Sequence, residues 1–136
     1  VVKALERFLD QVIKKITLDI VANLKSAPNT GYGTPVDTGW ARANWVPNIG
    51  ARRDGTAGTR AQAEAAATAS TAEQDAGVAK VAISYTTKQG PVHITNNVPY
   101  ILKLNEGTSR QAPRGFVQNA IVKAIRRDLA AGLRGV

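Results

Sequence analysis

The stretch Thr34-Pro35-Val36-Asp37-Thr38-Gly39-Trp40-Ala41-Arg42-Ala43-Asn44-Trp45 decides how the rest of the chain is read. Pro35 fixes its own φ, and Asp37 and Thr38 carry short side chains suited to bonding nearby backbone N–H groups. Gly39 admits a conformation that other residues avoid. The stretch reads as a turn, with Asp37 as its turn and cap residue. Beyond the turn, both tryptophans of the chain flank Arg42. Rings of that size either fill a core or anchor an interface.

Working outward, Val2, Leu5, Leu9, Val12, Ile16, Ile20 and Leu24 recur every three or four residues and predict an amphipathic helix over 2–25. Pro28 closes it, because the residue before a proline is held out of helical geometry. Residues 40–49 fit a helical turn followed by a strand, or one extended strand with Ala41, Ala43 and Trp45 on one side. Pro47 marks an edge or a strand end. Residues 50–77 change character: arginines and glycines give way to an alanine-rich run with too few large apolar residues to bury a stripe. An exposed, partly helical insertion loop is expected there. The sharper alternative is that a partner, such as a neighbouring subunit, orders it.

Val81, Ile83 and Tyr85 alternate with smaller residues and predict a strand over 78–86. With a turn at Lys88-Gln89-Gly90 and a return strand over 91–96, this makes a hairpin. Pro99 and Gly107 bracket a two-turn helix that buries Tyr100, Ile101 and Leu104. Val117, Ile121, Ala124, Ile125 and Leu129 predict a closing helix from about Pro113 to Leu133, with Lys123, Arg126 and Arg127 on its wet side. The expected fold is α+β: a small antiparallel sheet of three to four strands, packed against long N-terminal and C-terminal amphipathic helices. One domain over 1–136 is expected, interrupted by the alanine-rich insertion at about 50–77.

Composition narrows the function. The 136 residues include no cysteine and a single histidine, His93. Disulfide frameworks and thiolate metal sites are thereby excluded, and a multi-histidine site or conventional triad within one chain is disfavoured. His93 reads as a surface or interface histidine. No apolar run reaches the roughly 18 residues a bilayer span needs, and a soluble intracellular protein is expected. The net charge is +8. The excess sits at the two ends of the chain: residues 91–136 carry seven basic and two acidic side chains, against two and three over 61–90. A polyanion such as DNA is the natural neighbour of such a surface. Asp37-Thr38-Gly39 resembles the catalytic triplet of aspartic proteases, but those need two facing copies on a nearly all-β fold. Nucleotide and metal motifs are absent. Glu106 reads as a helix-end carboxylate paired with Arg42 or Arg110.

Several pieces occur in a telling order. After the first helix come Pro35-Val36-Asp37-Thr38-Gly39 with Arg42, a variable insertion, and a hairpin. Tyr100 with Glu106-Gly107-Thr108 follows, then Pro113 and Phe116 opening the last helix. This order resembles the tail-completion and neck proteins of tailed bacteriophages, the group that includes lambda's minor tail protein Z. Ile101 departs from the usual small residue after the tyrosine, and the insertion has no counterpart motif. The resemblance implies a virion structural protein without catalysis or cofactor. It implies a homo-oligomeric ring, six-fold favoured over twelve-fold, between the head-side connector and the tail tube or tail terminator. Assembly in the host cytoplasm and residence in the virion neck follow from it, with non-specific contact to genomic DNA and no membrane. On this reading Asp37, Trp40, Arg42, Trp45, Tyr100, Glu106, Thr108 and Arg110 form subunit interfaces. Arg52, Arg53, Arg114, Arg126 and Arg127 then face the DNA channel. The rival reading from the charge alone is a free basic DNA-binding protein.

Overall fold

Helix α1 spans Val2–Lys25 and buries Val12, Thr17, Ile20, Val21 and Leu24, the second half of the expected stripe. It stops at Ser26, whose N–H and hydroxyl both donate to the Asn23 carbonyl. A 3₁₀ turn over Pro28–Thr30 then reverses the chain. Gly33 passes so close beneath the helix end that a Cβ there would sit 2.3 Å from the Ser26 carbonyl oxygen. Only glycine fits that passage.

The computed structural model describes residues 1–134. After α1 come α2 (Trp40–Ala43), β1 (Val46–Ile49), α3 (Arg60–Ala65), α4 (Ala72–Ser84), β2 (Val92–Thr95), α5 (Ile101–Asn105) and α6 (Phe116–Arg134). The class is α+β, as expected, but the described residues form one two-stranded antiparallel sheet and not three to four strands. Val46 pairs with Thr95, Pro47 with Ile94, Asn48 with His93 and Ile49 with Val92. Pro47, without an N–H, is tolerated because the ribbon is all edge.

The predicted strand over 78–86, and with it the predicted hairpin, is replaced by α4. Gln74, Val78, Val81 and Tyr85 recur at helical spacing, and the surrounding Ala, Glu, Gln, Asp and Lys residues favour that state. Burial decides between the two periods. Val81 and Tyr85 are buried, while Ile83, which the alternation points inward with them, is 82% exposed. The helix packs on β1 through Gly77, where a Cβ would meet the Pro47 carbonyl at 2.7 Å. At residues 40–49 the helical turn followed by a strand is the form adopted.

The insertion is more ordered than a loop. Thr59 and Gln62 close a capping box on α3. Ala67 then takes a positive φ of 63° to turn the chain toward α4. Helix α5 is shorter than the two turns expected, and α6 begins at Phe116, three residues beyond Pro113. Its first turn is capped from a distance: Asn105 Oδ1 accepts the Val117 N–H at 3.0 Å, and the Asn105 carbonyl accepts Gly115 N–H at 2.7 Å.

Helices α1 and α6 lie antiparallel. Asn23 Nδ2 donates to the Ala120 carbonyl at one end, and Gly132 faces Phe8 and Val12 at the other. Between them and the ribbon sits the core of Ile20, Leu24, Trp45, Ala112, Phe116, Ala120 and Ala124. A second cluster of Trp40, Ala41, Ala63 and Val98 lies under the insertion.

Candidate functional site

The opening stretch forms the corner at which α1 hands over to the ribbon, and polar side chains hold it from several directions. Thr34 is fully buried, and its N–H and hydroxyl both donate to the Leu24 carbonyl, at 3.0 and 2.7 Å. The same hydroxyl accepts the Trp45 indole N–H at 2.9 Å. One threonine thus ties the end of α1 to a core tryptophan and leaves no buried donor unpaired, which matters because an orphan there costs about 1–3 kcal/mol. Two residues on, the Gln111 side chain clasps Val36, accepting its N–H at 2.8 Å and donating to its carbonyl at 2.9 Å. The clasp joins the first motif segment to the loop that follows the second.

The turn itself is built differently from the expectation. The Asp37 carboxylate is exposed and makes no hydrogen bond among the described residues; the Thr38 hydroxyl accepts the Trp40 N–H at 3.4 Å instead. Gly39, at φ 82°, supplies the left-handed step before α2. The Thr38 carbonyl accepts Ala69 N–H at 2.9 Å, so the insertion docks directly on the motif. Asn44, also buried, brackets Ala57 and bonds the Trp40 carbonyl. Gln74 reaches from α4 to the carbonyls of Arg42 and Trp45.

Trp40 and Tyr100, one from each motif, meet with ring centroids 6.0 Å apart and planes tilted by 56°. A cleft of about 120 Å³ lies beside them, lined by residues 35–41 with Tyr100, Leu104, Ser109 and Gln111. A wider hollow of about 520 Å³ opens between Trp40 and the insertion. Burial pushes the Tyr100 hydroxyl above the usual phenol range, and the Asp37 and Glu64 carboxylates add to this against Arg60. The cleft carries the Asp37 carboxylate with the Thr38 and Ser109 hydroxyls, none of them hydrogen-bonded to another, and the described residues contain no group of histidine and carboxylate side chains arranged to hold a metal.

Other expected site residues are placed as follows. Trp40 and Trp45 are each only 7% exposed, so both belong to the chain's own core and offer little surface to a partner. Glu106 is exposed at the end of α5, and neither it, Arg42 nor Arg110 is in an ion pair among the described residues. The expected Glu106–arginine pair is absent among the described residues, and α5 is closed by Thr108, whose hydroxyl donates to the Lys103 carbonyl at 2.8 Å. Arg53 is half-buried and committed to Glu73 at 2.7 Å, so it does not face a channel as a free cation. Arg52, Arg110, Arg114, Arg126 and Arg127 are exposed. His93 is half-buried on β2 opposite Asn48.

Two carboxylates escaped the sequence reading. Asp19 on α1 and Asp128 on α6 face each other in the helix interface, and Asp128 is only 4% exposed. Burial, then the neighbouring Asp19, pushes Asp128 above the usual carboxylate range. Asp19 is also raised by burial, but Lys15, the hydrogen bond with Asp128 and the Arg127 charge outweigh it and lower the net value. Lys15 Nζ lies 2.9 Å from Asp19. Two carboxylates held this close disfavour ionising together, which leaves Asp128 the more readily protonated of the two.

The chain matches no protein-family model, no curated protein and no solved structure.

Proposed function

We propose that the chain is a ring-forming structural component of a tailed bacteriophage, of the neck or tail-completion kind, which joins the head connector to the tail tube around the DNA channel. The observation that carries the reading is the convergence of the two motif segments. Residues 35–42 and 100–108 resemble one family's motifs, and they meet through the Trp40–Tyr100 contact, while Gln111, just beyond the second segment, clasps Val36. Residues with only local roles have no reason to converge in this way.

Charge gives the reading further support. Arg127 and Arg114 are exposed and outside any ion pair among the described residues, as suits a conduit wall that DNA must slide past. Contacts of this kind are weak and fade with salt, and ring closure needs head-to-tail subunit contacts. On this reading the subunit has no catalytic role, and its corner sets the geometry that the assembly inherits.

The test is electron microscopy of the purified protein and of particles labelled at this chain. Closed rings with a central hole, and label at the head–tail junction, are expected. A monomer that binds DNA tightly at physiological salt and is missing from particles supports the free DNA-binding reading instead and overturns this one.

A further inference from the structure

Two helices carry nearly the same octapeptide. Val2-Lys3-Ala4-Leu5-Glu6-Arg7-Phe8-Leu9 opens α1, and Val122-Lys123-Ala124-Ile125-Arg126-Arg127-Asp128-Leu129 lies within α6. Residues at i, i+3 and i+7 share a helix face, so Val2, Leu5 and Leu9 form one ridge and Val122, Ile125 and Leu129 another. Both ridges are bare. Exposure is 69, 56 and 40% along the first and 44, 37 and 41% along the second, which Leu133 continues at 68%.

The reason lies in the hairpin. Gly132 faces Phe8 and Val12, so the first turn and more of α1 projects past the end of α6. On α6, Ala120, Ala124 and Asp128 face inward, which turns Val122, Ile125 and Leu129 toward solvent. Scattered apolar side chains on a surface need no explanation, but two ordered ridges do.

The two octapeptides differ at three positions, Leu5/Ile125, Glu6/Arg126 and Phe8/Asp128, and the second of these is a reversal of charge beside the ridge. Glu6 stands in the first where Arg126 stands in the second, each one residue after the central apolar side chain. Neither is in an ion pair among the described residues. Laid antiparallel, the two ridges bring Val2 level with Leu129 and Leu9 level with Val122, and Glu6 and Arg126 meet near the middle.

We propose that the projecting start of α1 in one subunit docks on the Val122–Leu129 ridge of α6 in the next copy of the chain. Each copy offers one arm and one ridge, so the contact is head-to-tail and propagates until the rotation closes. The proposal rests on the ring reading above and assigns it a surface.

Light scattering on wild type, Leu5→Glu and Leu129→Glu provides the test, with circular dichroism to verify that each variant keeps its helices. Wild type is expected as a closed oligomer and each variant as a 14.4 kDa monomer. Mixing the two variants is expected to restore dimers and nothing larger, since the intact arm of one fits the intact ridge of the other. Glu6→Arg or Arg126→Glu alone is expected to weaken assembly on the order of tenfold or more, and the double exchange to restore it. Wild-type rings that survive both Leu5→Glu and Leu129→Glu overturn the proposal and leave the ring reading standing. A wild type that stays monomeric overturns both. Variants that fail to pair on mixing overturn the head-to-tail arrangement.

Discussion

The two ends of the α1–α6 hairpin begin from the same kind of apolar stripe and finish differently. At the inner end, Ile20 and Leu24 are covered by Trp45, Ala112 and Phe116, and Thr34 donates twice to the Leu24 carbonyl. At the outer end, Leu9, Leu5 and Val2 continue the stripe but are 40, 56 and 69% exposed among the described residues. The comparison teaches that an amphipathic stripe announces a face and not its partner. Tertiary packing covers one half and leaves the other exposed.

The comparison is broken most forcefully at the inner end. Trp45→Ala removes a buried indole and its bond to Thr34 and is expected to cost roughly 3–5 kcal/mol in urea unfolding. A loss well under 1 kcal/mol would place the true core elsewhere. Thr34→Val keeps the shape but strands the Trp45 N–H, with an expected loss of about 1–3 kcal/mol. Gln111→Ala deletes the two bonds to Val36 near the surface and is expected to cost about 1 kcal/mol while freeing the 108–115 loop, visible as faster amide exchange at Val36.

Asp128 sharpens the middle of the hairpin. Its folded pKa lies above the unfolded value, so its contribution is present at low pH and is lost as pH rises through the raised pKa. Asp19 is lowered, so its contribution is present above the ordinary carboxylate range and lost as pH falls. Stability is therefore expected to peak in mild acid and to decline toward neutral pH. Asp128→Asn is expected to flatten that decline and to be the more stable form by on the order of 1 kcal/mol near pH 8, read from melting temperatures across the range. A wild-type profile that rises toward neutral contradicts the raised pKa of Asp128. The smallest effect on the fold belongs to the outer end: Leu5→Glu is expected to change the stability of the isolated subunit by no more than about 0.5 kcal/mol.

The long helices were legible in the sequence because seven apolar residues in α1 and five in α6 repeat one spacing. Helix α4 was not, because Val81 and Tyr85 belong both to an alternation and to a helical stripe, and only the exposure of Ile83 separates the two. The partner of β2 was hidden for another reason. Pairing with β1, more than forty residues upstream, leaves no local signal, whereas a neighbouring hairpin appears to offer one. At the corner, the sequence singled out Trp40 and Tyr100 but did not pair them; their contact emerges only in the fold. Thr34, Asn44, Gln74 and Gln111 did not stand out, since a polar side chain that bonds a distant backbone has no characteristic spacing. Gln74 carries a faint trace, as the one polar residue on the buried stripe of α4.

The central claim, that the outer end is where copies meet, is tested most directly by a covalent bridge. The chain has no cysteine of its own, so a Glu6→Cys, Arg126→Cys double variant places thiols only at the proposed contact. Under oxidation, a non-reducing gel is predicted to show a ladder of crosslinked species that stops at the closed ring, while neither single variant forms a ladder. A double variant that stays monomeric on that gel, from protein whose uncrosslinked form is a ring by microscopy, contradicts the account.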